Sequence, residues 1–100
     1  MNASRRSAIS RAYYGVLVTA RNALDQRGLP SGRGSGRVHG TVPAQLKKYE
    51  DRQVYALGNT LEEMRRRRKE ADYEDEIDAE RVLREQLALA VKAEEALPLI

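Results

Sequence analysis

Residues 4–27 read SRRSAISRAYYGVLVTARNALDQR. Within this stretch Ile9, Tyr13, Val16, Leu17, Ala20 and Leu24 recur at spacings of three and four, which gathers them on one face of a helix. Gly28 then offers the left-handed conformation that ends helices, and Pro30 cannot continue one. The same period returns further along. From Arg52, the residues Val54, Leu57, Leu61 and Met64 outline a helix running towards Lys69 or Tyr73, weakened slightly by Gly58. Asp78 is a good N-cap for another, carried by Val82, Leu83, Gln86, Leu87, Ala90, Val91 and Ala93 and ending before Pro98. Between the first two lies GLPSGRGSGRVHG, residues 28–40, read as a flexible glycine-rich connection. Thr41 can cap a short helix reaching about Glu50, with Pro43 tolerated in its first turn. No useful stretch alternates with period two. The expectation is therefore all-α: one domain over residues 1–100, an antiparallel bundle of about four helices with a glycine-rich loop between the first two.

One hundred residues make one small domain, which leaves no room for a second catalytic unit. With 41% hydrophobic and 33% charged residues the chain is neither low-complexity nor fibrous. The absence of cysteine removes disulfides, thiolate nucleophiles and Cys-ligated zinc, and a reducing cytoplasm is the expected location. No apolar run approaches the roughly 20 residues of a membrane span, and MNASRRSAISR lacks the apolar core of a secretory signal. The five aromatics are all Tyr, so the core rests on Leu, Val, Ile and Ala. Such a core is thin for a domain of this size, and a homodimer would add buried surface.

The net charge of +3 hides a strong asymmetry, with residues 1–50 carrying +7 and residues 51–100 carrying −4. Arg65, Arg66, Arg67, Arg68 and Lys69 form a cationic block, followed by seven acids between Glu70 and Glu80. The two runs can neutralise each other at a solvated helix end. Alternatively the guanidinium forks form a phosphate-binding patch, since their planar donors match phosphate oxygens. Helical spacing puts Arg68 nearest the seam of Leu57, Leu61 and Met64, turns Arg66 to solvent, and leaves Arg65 as part of a steering field. No His, Asp and Glu residues show metal-ligand spacing, and the glycine-rich strings lack the Gly-Lys-Ser/Thr ending of a phosphate loop. Neither a metal nor another cofactor is expected.

Two strings carry a resemblance. Ser10, Arg11, Ala12, Tyr13 and Tyr14 spell SRAYY, and RKEADY supplies Arg68, Ala71, Asp72 and Tyr73. In order and spacing, together with His39-Gly40 between them, the chain resembles small prokaryotic HEPN-domain proteins over roughly residues 7–95. The resemblance implies a helical bundle that commonly dimerises. Many such proteins are metal-independent ribonucleases of toxin–antitoxin or phage-defence systems, and others are non-catalytic partners of nucleotidyltransferases or of larger defence proteins. Two features depart from the pattern. The family usually has a further helix before the SRAYY helix, and here nine residues precede Ser10. Catalytic members carry Arg-x(4 to 6)-His at the later string, whereas the position after four intervening residues from Arg68 is Tyr73.

Cleaving RNA without a metal needs a base for the 2′-hydroxyl proton, an acid for the 5′-oxygen and cations for the phosphorane. Histidine alone titrates unaided near neutrality, and His39 is the one histidine of the chain. Arg33-x5-His39 satisfies the Arg-to-His spacing formally, but it falls in the glycine-rich loop. The catalytic candidates are thus Arg68, Asp72, Tyr73 and His39, the last if the fold brings it to the Arg68 region. Arg11, Tyr14 and Arg65 are binding candidates. Arg11 also has a structural reading, an ion pair with Asp72 between antiparallel helices. Tyr13 and Tyr14 point about 100° apart, so one packs in the core while the other can face a dimer mate.

Overall fold

The computed structural model describes residues 2–73 and 77–100; Glu74, Asp75 and Glu76 of the acidic run lie outside them. It is a helical bundle of α1 (Asn2–Gln26), α2 (Val38–Leu46), α3 (Arg52–Tyr73) and α4 (Ala79–Ala96), closed by a short 3₁₀ turn at Leu97–Leu99. Among the described residues no helix is long and apolar enough to cross a membrane.

The apolar face of α1 is buried as its spacing requires, with Ile9, Tyr13, Val16, Leu17, Ala20 and Leu24 all in the interior. They meet Val54, Leu57, Leu61 and Met64 of α3 and Ala93 and Ala96 of α4 in one core. Ile9, Ala71 and Val82 form a smaller cluster at the other end. There the Arg6 guanidinium donates to the Ala71 carbonyl at 2.6 Å, so the start of α1 sits at the end of α3 and the two helices are antiparallel. Gln86 is fully buried, and its amide nitrogen donates to the carbonyls of Ile9 (3.2 Å) and Met64 (2.9 Å). One polar side chain thereby cross-links α1, α3 and α4, each neutral bond contributing about 1 kcal/mol net.

Helix ends follow local chemistry. Gly28 takes φ +70° just beyond α1, the left-handed stop expected of it. The Asp78 carboxylate accepts from the Arg81 amide at 3.0 Å, capping α4. A cap unread in the sequence is Asp51, whose Oδ1 accepts from the amides of Gln53 and Val54 and starts α3.

Three expectations are corrected. The second helix begins at Val38, not Thr41, and stops at Leu46 rather than near Glu50. No side chain caps it at Arg37, so nothing in the residue types marks its start, and His39 lies in its first turn instead of in a loop. The segment before it folds into turns bound to α1: Asp25 accepts from Ser31 (2.6 Å) and from Arg33. Arg33 Nη2 donates to Asn22 Oδ1 at 2.7 Å, so Arg33 points along α1 and makes no site with His39. On α4 the apolar face is narrower than the sequence suggests. Val82 and Ala93 are buried, but Leu87 and Val91 are 49% and 61% exposed.

Helix α2 is short and lies antiparallel on α3, where Gly58 allows the approach. A Cβ at Gly58 would come within 2.9 Å of both the Pro43 carbonyl oxygen and Lys47 Cγ. Lys47 fastens the same contact through Glu62 of α3.

Candidate nucleic-acid interface

Adjacent positions on α1 divide their work. Tyr13 is 1% exposed and lies in the core, whereas Tyr14 sits at the surface. The Tyr13 hydroxyl is nevertheless not stranded, because His39 comes across from α2 and places Nδ1 2.7 Å from it. The two rings stack at 5.7 Å and 14°, and Tyr14 meets the imidazole edge-on at 5.7 Å. Arg68 of α3 completes the cluster with its guanidinium carbon 5.5 Å from the Tyr14 ring centre and 6.0 Å from that of Tyr13. Asp72, one turn on, holds it at 3.0 Å. Three helices therefore hold one histidine, and the cation over the rings adds about 0.5–2 kcal/mol to its seat.

His39, Tyr14, Arg68 and Asp72 are thus brought together, joined by Tyr13, whose ring packs in the core as its spacing requires while its hydroxyl meets His39. Arg11 and Tyr73 are not among them. Arg11 donates to the Ser7 hydroxyl at 2.7 Å, and the ion pair read between Arg11 and Asp72 is not formed; Asp72 pairs with Arg68 instead. Tyr73 is 76% exposed and borders a shallow recess with Arg66, Lys69 and Glu70.

The cationic block is divided by its partners. Arg66 and Arg67 bind Glu63, and Arg67 also approaches Glu85. Arg68, its side chain 12% exposed, is balanced by Asp72. Arg65 has no carboxylate partner among the described residues, and its Nε is buried without a hydrogen bond. This cation, assigned by spacing to a general field, stands beside His39 and lines two clefts with it. One cleft, of about 540 Å³, lies between the glycine-rich turns and α2. The other, of about 340 Å³, lies between α2 and α3. His39, Gly40 and Arg65 border both, forming a ridge between them.

Burial lowers the His39 pKa below its ordinary 6.5, and the charges of Arg65, Arg68 and Lys69 lower it further. Both effects favour the neutral imidazole. Burial pushes the Tyr13 phenol up to about 12, against the opposing influence of Arg65 and Arg68, so its proton stays in place. The 2.7 Å contact fits either tautomer of the neutral ring: where Nδ1–H donates to the Tyr13 oxygen the lone pair lies on Nε2, and where the phenol donates to Nδ1 it lies there instead. The arrangement can accept a proton beside a cation that has no carboxylate partner among the described residues. Among the described residues no three His, Asp or Glu side chains converge as metal ligands.

Comparison with protein-family models, with curated proteins and with solved structures finds no match to this chain.

Proposed function

We propose that this chain is a HEPN-like RNA-binding protein with metal-independent ribonuclease activity, acting in the cytoplasm as part of a toxin–antitoxin or phage-defence system. The observation that carries the reading is the 2.7 Å contact of His39 with Tyr13, beside Arg65 and Arg68. It supplies, from α2, the base that is missing after RKEADY. In the proposed step His39 Nε2 takes the 2′-hydroxyl proton, O2′ attacks phosphorus, and the 5′-oxygen leaves with a proton from water. Arg65 offsets the charge gathered on the phosphorane. The products are a 2′,3′-cyclic phosphate and a 5′-hydroxyl.

Incubating the protein with tRNA and mRNA in EDTA tests this. Cleavage leaving cyclic-phosphate ends supports it, and an RNA pool that stays intact overturns it. The pH profile is a sharper check. Because the pKa of His39 is lowered, its base form persists below pH 6.5, and the acid limb of the cleavage rate is expected there. Arg65→Ala removes a cation that opposes protonation, so the limb should move to higher pH while the plateau falls. A limb that stays put in Arg65→Ala would show that the two groups do not face one another.

A second reading is a non-catalytic interaction module that forms a homodimer or engages a nucleotidyltransferase-type antitoxin or a larger defence protein. Leu87 and Val91 favour it, exposed one turn apart on α4 beside a groove shared with Arg11, Gly15 and Glu94. Sedimentation of the wild-type chain is expected to give twice the 11.3 kDa chain mass, and Leu87→Glu/Val91→Glu to return it to the monomer. A wild-type monomer at micromolar concentration would remove the homodimer.

A further inference from the structure

We infer that the larger cleft beside His39 seats one unpaired nucleotide of the RNA, its base against α2 and its phosphate on the His39–Arg65 ridge; this rests on the ribonuclease reading above. The cleft's 540 Å³ falls within the roughly 300–1,000 Å³ of small-ligand sites. Its surface is graded. Pro30 and Ala44 give an apolar patch, with Gln45 and Thr41 on the same helical wall. The Gln45 amide bonds to no described residue, so both its donor and its acceptor are free for the edge of a base. Arg37, Lys48 and Arg65 stand around this surface, none with a carboxylate partner among the described residues, and no acid borders the cleft. Three free cations around an apolar patch with one amide suit an anionic group attached to a flat, partly polar ring.

The first turn of α2 strengthens the phosphate end. Gly36, Arg37, His39 and Gly40 all border the cleft; the Gly40 amide is taken by the Arg37 carbonyl at 3.2 Å, and the His39 amide is left with no backbone acceptor among the described residues. The smaller cleft across the ridge differs, because Arg65, Arg66, Lys69 and the Lys47-bound Glu62 make its wall polar throughout and no apolar side chain borders it. That contrast assigns the base to the larger side. A base enters such a recess only when it is unstacked and unpaired, as bases of single-stranded RNA are.

The test uses a short fluorescein-labelled RNA with 2′-O-methyl groups, which cannot be cleaved, either alone or annealed to its complement. Anisotropy titrations compare wild type, Ala44→Leu/Gln45→Leu and Arg65→Ala. The double substitution keeps every charge, so it should weaken the single strand by about tenfold and leave the duplex unchanged. Arg65→Ala should weaken both. Should the double variant fail to fold, 4-thiouridine in the same strand gives a separate measure, expected to crosslink wild-type protein within residues 41–48. Full single-strand affinity in the folded double variant, or crosslinks confined to other segments, overturns the nucleotide seat while cleavage in EDTA keeps the ribonuclease reading. Absence of both binding and cleavage in wild type overturns the two together.

Discussion

Under the ribonuclease proposal, replacing His39 by alanine is expected to lower the RNA cleavage rate by about a hundred- to ten-thousand-fold, the range of a lost general base. The fold should survive at a cost of about 1–3 kcal/mol for the Tyr13 hydroxyl left without its partner, because the imidazole itself lies at the cleft edge rather than inside the main core. Tyr13→Phe separates orientation from proton transfer. It keeps the stacked ring and removes the oxygen that fixes Nδ1, so the loss should be smaller than in His39→Ala. Initial rates on a labelled RNA in EDTA, with circular dichroism to verify folding, measure both. A His39→Ala protein that cleaves at the wild-type rate would take the base away from this residue.

The largest effect on stability is expected at Gly58. Alanine in a helix normally gains about 1 kcal/mol over glycine. Here the added carbon meets a backbone oxygen at 2.9 Å, and α2 must move to admit it. Overpacking of that kind costs about 1–3 kcal/mol, which offsets the gain. Gly58→Val adds two further carbons at the same contact and should lose about 3 kcal/mol, lowering Tm by more than about 10 °C in a domain of this size. Because α2 carries His39, cleavage should fall in Gly58→Ala even where the protein remains folded. Thermal melts and rates on both variants provide the check. A more stable, fully active Gly58→Ala would mean that α2 is not held where the contact with Pro43 puts it.

The long helices were legible because their cores repeat. Ile9 to Leu24 and Val54 to Met64 keep helical spacing without interruption, and Gly28 and Asp78 punctuate as their chemistry demands. The start of α2 was not legible. Arg37 offers no capping oxygen, and Gly36 and Gly40 on either side belong to loops in most sequences, so Thr41 looked like the better beginning. That slip of three residues hid the site, since it left His39 in a connection and cast Arg33 as its neighbour. The division of the arginine block was hidden as well. Spacing within a helix shows which side a residue faces, but whether Arg65 or Arg68 keeps a free charge depends on Asp72 taking Arg68 and on His39 arriving from α2. Leu87 and Val91 belong to the apolar pattern of α4, but the bundle leaves them at its surface.

The brevity of α2 has a consequence for the order in which the protein comes apart. Nine residues fall below the length at which a helix persists alone, Pro43 removes one amide from its ladder, and no side chain caps its start. Its amides should therefore exchange with deuterated solvent by a local opening that leaves α1, α3 and α4 docked through Gln86. When α2 lifts, His39 leaves Tyr13 and Arg65 together, and the ridge between the clefts is gone. On heating, the proposed cleavage activity should vanish several degrees before the helical signal collapses, with the remaining three helices still closed around their core.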